Sequence, residues 1–291
     1  MAWFHILGWF PSIVAVLGNA LVVVIIASRP RLHNPSNWFV LSLALADFAV
    51  GLIYFPTAFF CGKLALCKST IAHDIALLAI FSSVTNLCAM TSDRYIAIIK
   101  PLRYVTWMTS RRASVLIALA WGMPLTLDFI PALCSRLGKC DLQNKDLVIS
   151  KMILLEIIPC LFLLITTTQM VIAARRHCRQ DARLDSQLQH NQPNRRRTRD
   201  FSATRVITIV VTVFLACYCV ELYSVVRFLA YSLTPTVEII KVIYFLTVVN
   251  SAANPIAYSL FKRDIRKELR KILRLKKVVS RPRQASASTA V

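Results

Sequence analysis

Seven apolar blocks, each about 20 residues or longer, constrain this sequence more than any other feature. A helix of that length crosses a bilayer, and it satisfies its own backbone hydrogen bonds where no water is present. We therefore predict an all-α membrane protein, a bundle of seven transmembrane helices that we call spans one to seven in chain order. The predicted spans are residues 6–27, 38–60, 72–97, 113–133, 147–174, 203–231 and 237–261.

The composition favours a membrane protein over a large soluble domain. Hydrophobic residues make up 56% of the chain and charged residues only 17%, with a mean hydropathy of +0.58. Soluble domains carry about 25% charged residues. The net charge of +21 would suit nucleic acid, but Lys and Arg concentrate in residues 175–205 and 262–283. Such segments favour anionic membrane lipid and an acidic protein partner, so we expect no nucleic-acid binding.

The basic residues between the spans predict how the chain crosses the membrane. The first, third and fifth connections are rich in Lys and Arg, and the fifth includes the arginine-rich residues 175–199. The second, fourth and sixth connections together hold far fewer, and the sixth holds none. Because basic loops stay in the cytoplasm, we predict a multi-pass plasma-membrane protein with its N-terminus outside and its C-terminus in the cytoplasm.

The residues after the bundle predict a helix on the membrane surface. We divide the chain into the bundle, residues 1–261, an amphipathic interfacial helix, residues 262–275, and a disordered cytoplasmic tail, residues 276–291. Ile265, Leu269 and Ile272 recur at helical spacing among cations, as in a helix that lies on anionic lipid. The chain's last three residues, Thr289 to Val291, resemble a ligand of PDZ domains.

A carboxylate in the middle of span two is the most informative polar residue. Polar groups inside a membrane are costly and mark function by default, so Asp47 must face the bundle and find partners there. Span three offers Ser83, and span seven offers Asn250, Ser251 and Asn254. These oxygen ligands suit a hard cation; the alternative is a hydrogen-bonded polar core without an ion.

Short motifs in most of the spans carry a family resemblance. They are Gly18-Asn19 in span one, Leu43 to Asp47 in span two, Asp93-Arg94-Tyr95 in span three, Trp121 in span four, Pro159 in span five and Asn254 to Tyr258 in span seven. Together they resemble the rhodopsin-like (class A) G-protein-coupled receptors, near the melanocortin, adenosine and amine-related branches. No branch fits throughout.

The resemblance implies a function and a switch. It implies a receptor that binds a small molecule or short peptide within the bundle and activates a heterotrimeric G protein, with no catalysis and no cofactor other than a sodium ion. That ion would lie at Asp47 and stabilise the resting state. Asp200 would pair with Arg94 until activation; the alternative is an Asp200 solvated among arginines. The remaining residues expected at the switch and the G-protein contact are Asp93, Tyr95, Leu102 and Tyr258.

The outer halves of spans five to seven hold the candidate ligand contacts. Tyr218 and Glu221 share a face of span six, and Tyr244 lies on span seven. Lys151 and Glu156 are five residues apart, about 140° around a regular helix, so each should meet another helix or the ligand. We expect Lys151 to pair with Glu221; the alternative is that all three charges form internal structural pairs.

Several residues depart from the family pattern. Aminergic receptors of the family carry Asp where this chain has Ala76, which argues against a monoamine ligand. Asp74 lies about 180° from Ser83 around span three, so we expect it to pair with a neighbouring helix or lie near the outer water. Span six has Val220 in place of the usual proline, and span five has Thr167 in place of a common tyrosine. Both changes predict weakened or altered switching.

The resemblance also implies an outer disulfide. We expect Cys67 to pair with Cys140, or else with Cys134, and Cys61 could take the remaining cysteine. Four cysteines within apolar spans are expected to serve in packing: Cys88, Cys160, Cys217 and Cys219. A short outer N-terminus without an N-x-[ST] site predicts a small or short-peptide ligand.

Three other functions compete with the receptor. A seven-span transporter would show internal repeats and broken helices, and the sequence shows neither. A membrane enzyme would need a catalytic cluster, and we find none. A receptor-like chain that no longer signals remains the alternative, because of the departures in span six.

Overall fold

The computed structural model describes residues 2–63, 71–139, 145–187 and 195–279 of the chain. Within these ranges all regular elements are helical, and seven helices are long and apolar enough to cross a membrane. This confirms the predicted all-α bundle. The long helices are Trp9–Ser28 (span one), Pro35–Ala49 with Val50–Tyr54 and Phe55–Lys63 (span two), Ile71–Ile99 (span three), Ser110–Pro124 with Leu125–Phe129 and Ile130–Arg136 (span four), Lys145–Met152 with Ile153–Ile157 and Ile158–Gln187 (span five), Arg195–Tyr231 (span six) and Val237–Phe261 (span seven).

Shorter helices flank and connect the spans. Ala2–Leu7 precedes span one, the 3₁₀ turn Pro30–Leu32 follows it, Pro101–Trp107 joins spans three and four, and Arg263–Val279 follows span seven. Capping side chains mark the start of some of the helices. The Asn34 side chain accepts a hydrogen bond from the N–H of Asn37 at 3.0 Å, and so begins span two.

Spans two, four and five each contain one π-helical turn, and each turn ends two residues before a proline. The turns and their prolines are Val50–Tyr54 with Pro56, Leu125–Phe129 with Pro131, and Ile153–Ile157 with Pro159. Proline lacks an N–H and its ring crowds the carbonyl four residues earlier. The wider π turn relieves that crowding: the N–H of Ile158, for example, bonds the carbonyl of Ile153, five residues back.

Span six behaves differently because it has no proline. The helix Arg195–Tyr231 is α-helical from end to end, with neither a π turn nor an internal proline. Val220, which stands in place of the family's usual proline, therefore lies within an uninterrupted α-helix.

Span three is the central helix of the bundle. In its most apolar stretch 72% of residues are buried, against 22% in span four and 28% in spans five, six and seven. Span one has one exposed face, on which Phe10, Leu17 and Val24 recur every seven residues. A Cβ on Gly18 would lie 2.7 Å from Cγ of Pro255. Glycine at this position therefore lets spans one and seven approach closely.

The helix Arg263–Val279 docks against the bundle. It extends past the predicted end at residue 275. Ile265 is fully buried, and Leu269 and Ile272 pack against the core of the bundle, so these side chains face protein where we had expected lipid. Glu268 accepts a hydrogen bond from Lys271 at 2.6 Å and lies 3.6 Å from Nε of Arg29 near the end of span one. The polar side of the helix is thus tied to the bundle as well.

Candidate functional site

Asp47 is the centre of a fully buried polar cluster. Its Oδ1 accepts a hydrogen bond from the Ser83 hydroxyl at 2.7 Å, and its Oδ2 accepts one from the Asn254 amide at 2.6 Å. Ser251 faces the same carboxylate. Asn19 in span one donates to the carbonyl of Ser251 at 3.1 Å. The structure thus brings together four of the five residues predicted for this site and adds a link from span one.

A cavity lies beside this cluster, in the middle of the bundle. It is small, with room for about one water molecule. The lining residues come from spans two, three, six and seven: Val50, Ile80, Ser83, Val84, Phe214, Cys217, Tyr218, Thr247, Asn250 and Ser251. Asn250, the fifth predicted residue, lines the cavity, and its buried Oδ1 has no hydrogen-bond partner among the described residues. The cavity therefore connects the Asp47 cluster to Tyr218 in span six.

A second polar network joins spans two, three and four. The Trp121 indole donates to the Ser42 hydroxyl at 2.9 Å, and Ser42 donates to Oδ1 of Asn86 at 2.7 Å. Asn86 in turn donates to the carbonyl of Ser82 at 2.8 Å. The family motif at Trp121 therefore acts through a specific hydrogen bond, and it fixes span four against the central helix.

At the cytoplasmic end of span three, Arg94 folds back onto its neighbour. Oδ2 of the fully buried Asp93 accepts from Nε and Nη2 of Arg94 at 2.8 and 2.5 Å. Oδ1 of Asp93 accepts from the Tyr104 hydroxyl at 2.9 Å. Tyr104 belongs to the short helix after span three, so this contact ties the inner loop to the switch. The predicted Arg94–Asp200 pair lies outside the described side chains, since that of Asp200 is not among them.

The other switch residues occupy distinct environments. The Tyr95 hydroxyl donates to Gln169 of span five at 2.8 Å. Tyr258 is buried, and its hydroxyl lies 3.8 Å from the Met90 sulfur. Leu102 lies in the helix Pro101–Trp107 and is 91% exposed. Thr167 is buried, and its hydroxyl has no partner among the described residues.

The expected Lys151–Glu221 pair is wrong, because Lys151 bonds Asp128 of span four. The side chain of Asp128 is 3% exposed and that of Lys151 is 30% exposed. The Lys151 ammonium also lies 5.5 Å from the ring centroid of Phe81 in span three, within the range of a cation–π interaction. Lys151 therefore links spans three, four and five, as in the alternative of an internal structural pair.

A π turn separates Lys151 from Glu156 in span five. The sequence argument placed these two residues about 140° apart on a regular α-helix. The π turn Ile153–Ile157 lies between them and bonds residues five apart, so the two side chains come closer to one face. Lys151 does attract Glu156 electrostatically. Glu156 is buried, and its Oε2 has no hydrogen-bond partner among the described residues.

The aromatic candidates are packed as stacked pairs. Tyr244 stacks on Tyr54, with ring centroids 4.4 Å apart and planes at 19°. Tyr218 stacks on Phe214, with centroids 5.0 Å apart and planes at 21°. The Tyr218 hydroxyl is buried without a partner among the described residues. Glu221, one turn further along span six, is partly buried.

Asp74 lies off the central line of span three, as predicted. Its Oδ2 accepts from Nε of Arg136 at 2.6 Å, which joins the outer ends of spans three and four. Cys134 is disulfide-bonded, whereas the expected pair Cys67–Cys140 lies outside the described residues. The four cysteines expected to serve in packing are free: Cys88, Cys160, Cys217 and Cys219.

The sequence analysis did not identify two residues of these networks, Asp128 and Ser42. Asp128 is a carboxylate within an apolar span, so the rule that identified Asp47 applies to it equally. Ser42 gives no such signal, because a serine in a membrane helix usually bonds its own backbone. Only its position between Trp121 and Asn86 shows its role.

Comparisons with known proteins agree with this arrangement. Residues 18–258 match the family described as "7 transmembrane receptor (rhodopsin family)", a stretch that includes every motif of the resemblance. The chain is 29% identical to octopamine receptor beta-2R of Chilo suppressalis, over 90% of this chain and 77% of that protein. It is 27% identical to trace amine-associated receptor 4 of Mus musculus, over 90% and 82%. Trace amine-associated receptor 6 of Homo sapiens is 26% identical, over 92% and 84%.

Proposed function

Because this chain belongs to the rhodopsin family of seven-transmembrane receptors, we propose that a ligand in the outer half of its bundle opens a G-protein site at the cytoplasmic end. The chain is a G-protein-coupled receptor of the plasma membrane that responds to a small molecule, and its relatives are receptors and not enzymes. A short peptide is the alternative ligand. The N-terminus and the outer ends of the spans face the exterior, and the C-terminus faces the cytoplasm.

The observation that carries the proposal is the cavity between the ligand candidates and the polar cluster. Its wall includes Tyr218, and its lining also includes Ser83 and Ser251 of the Asp47 cluster. A ligand that moves Tyr218 therefore acts on the same space that the polar cluster borders. A two-state bundle responds when a ligand binds one state better than the other, and a ligand whose contacts with Tyr218 differ between the two states would have such a preference.

We assign a sodium ion to the Asp47 cluster. The carboxylate, the hydroxyls of Ser83 and Ser251, and the amide oxygens of Asn250 and Asn254 form a set of hard oxygen ligands. Both amide oxygens are buried without hydrogen-bond partners among the described residues. An ion there would satisfy them and stabilise the resting state.

The cytoplasmic switch centres on Asp93 and Arg94. Release of Arg94 from Asp93 would free the guanidinium to bind a G protein. The exposed Leu102 would supply an apolar contact beside it, and the basic cytoplasmic end of span six would complete the cleft. The equilibrium between the resting and active states also depends on Tyr95, Tyr258 and Asp200. The helix Arg263–Val279 faces anionic lipid with its cations, and residues 289–291 offer a PDZ-domain ligand.

A second-messenger assay in cells tests the receptor function. We expect wild type to signal, basally or with a small-molecule panel, and Arg94→Ala to reduce that signal at equal surface expression. Arg103→Ala, an exposed arginine nearby, is the matched control and should signal normally. Asp200→Ala should raise basal signalling if Asp200 restrains Arg94. The absence of a second-messenger signal from wild type through any class of G protein would overturn the proposal and favour a receptor-like chain that no longer signals.

Sodium binding is tested separately on the purified chain. We expect the Tm of wild type to be higher in NaCl than in KCl at equal ionic strength, and we expect Asp47→Asn to abolish the difference. Equal Tm values for wild type in the two salts would refute the assigned ion without touching the receptor function.

A further inference from the structure

Three carboxylates and one cation lie within the outer halves of spans four, five and six. Spans four, five and six contribute Asp128, Glu156 and Glu221 there, and span five contributes the cation Lys151. The Lys151 ammonium is already engaged by Asp128 and lies over Phe81. In the described part of the chain, neither Glu156 nor Glu221 forms an ion pair. The two glutamates, one on span five and one on span six, also interact unfavourably with each other.

An unpartnered hydroxyl lies beside these glutamates. The Tyr218 side chain is 6% exposed, and its hydroxyl has no hydrogen-bond partner among the described residues. Both glutamates act electrostatically on Tyr218 and on Cys160, so the four side chains share one region. Glu156 is 7% exposed, and its Oε2 is likewise without a partner in the described structure. Buried polar groups are almost always hydrogen-bonded, so such a cluster calls for a group supplied from outside.

We infer that Glu156, Glu221 and Tyr218 bind the ammonium group of the ligand, which is a small amine. The inference rests on the receptor function proposed above. A primary ammonium has three N–H donors, one for each carboxylate and one for the Tyr218 hydroxyl. The apolar part of the amine would extend towards the small cavity beside Phe214, and the side chains around that cavity would have to move apart to admit it.

This site differs from the position at which aminergic receptors carry their Asp. Ala76 is fully buried and packs in a cluster that includes Ile80, Tyr54 and Val248. No carboxylate is available at that position, so an amine bound there would lack a counter-ion. The sequence argument against a monoamine therefore excludes that position only. The counter-ion has moved to spans five and six.

Thermal shifts of the purified full-length chain test the site. The probes are 2-phenylethylamine, octopamine and straight-chain primary amines, each compared with the corresponding alcohol, which has the same shape without the charge. We expect at least one amine to raise the Tm of wild type, and its alcohol to have no effect. Glu221→Gln and Glu156→Gln should each raise the amine concentration for half-maximal shift about 10- to 100-fold, as for one hydrogen bond to a charged group.

A matched control and an unliganded measurement separate binding from stability. Glu238→Gln changes a glutamate whose side chain is 55% exposed at the start of span seven, and it should leave the amine response within about twofold of wild type. Without amine, the two site variants should melt at or above the wild-type Tm, because each replaces an acidic group that has no ion-pair partner in the described structure by a neutral amide. A lower Tm would assign the glutamates a structural role. A lower Tm of the variants would overturn the inference. It would also be overturned if an alcohol raised the Tm as much as its amine, or if no amine raised the Tm.

G-protein nucleotide exchange on the same preparations distinguishes this inference from the receptor function. If the chain catalyses nucleotide exchange but no amine raises its Tm, the ammonium site is refuted and the receptor function stands. If amines but not their alcohols raise the Tm and no nucleotide exchange occurs, the ammonium site stands and the signalling function is refuted.

Discussion

The ion pair between Lys151 and Asp128 makes the sharpest prediction, because the structure replaces the sequence-based partner with another. Asp128→Asn keeps the shape of the side chain and removes its charge, so the Lys151 ammonium loses its carboxylate inside the bundle. Removal of one partner from a buried pair costs about 3–5 kcal/mol, whereas exposed pairs contribute less than about 1 kcal/mol. Since Lys151 is 30% exposed and Asp128 is 3% exposed, we expect a loss of about 2 kcal/mol.

The assay is a double-mutant cycle read by thermal unfolding in detergent. At about 2–4 °C per kcal/mol for a chain of this size, Asp128→Asn should lower the Tm by about 4–8 °C. Lys151→Met should lower it by a similar amount, because Asp128 then lacks its cation. The double variant should lie much closer to wild type than the sum of the two, with a coupling of about 2 kcal/mol.

A second cycle, Lys151→Met with Glu221→Gln, is the control. Residues without a direct contact add to within about 0.5 kcal/mol, and we expect additivity here. Additive Tm shifts in the first cycle would refute the pair with Asp128. Coupling in the second cycle alone would restore the partner that the sequence suggested.

Three further predictions concern packing, hydrogen bonding and pH. Gly18→Ala should destabilise the fold by about 1–3 kcal/mol, because its Cβ would lie 2.7 Å from Pro255, whereas Gly122→Ala, with no atom within 4 Å, should leave the Tm unchanged or raised. Ser42→Ala should cost about 1–3 kcal/mol, because the Trp121 indole and the Asn86 oxygen both lose their partner; an unchanged Tm would contradict this. The hydrogen bond from Lys271, with the nearby charges of Lys271, Arg29 and Arg31, holds the pKa of Glu268 below its usual range. Docking of the helix Arg263–Val279 should therefore be constant from neutral pH to about pH 5 and weaken below about pH 4, as the lowered pKa is crossed. Hydrogen exchange of this helix measures the effect, and Glu268→Gln should remove the pH dependence.

The sequence by itself determined the architecture and much of the polar centre. Hydropathy is a local property of about 20 residues, so the seven spans could be counted without knowledge of their packing. A carboxylate such as Asp47 must face the bundle wherever the helices lie, because lipid cannot solvate it. Its partners Ser83 and Asn254 followed from the few polar oxygens of adjacent spans, and the structure places both within hydrogen-bonding distance.

Only the tertiary structure decided which charges pair in the outer half of the bundle. Partner choice depends on how each helix is rotated about its axis, and the π turns before Pro131 and Pro159 change that rotation in spans four and five. The sequence argument took Glu221 as the partner of Lys151 and did not consider Asp128, which the structure places beside Lys151. The pairing of Lys151 with Asp128 in turn leaves Glu156 and Glu221 without an ion pair in the described structure, and this is visible only once the helices are assembled.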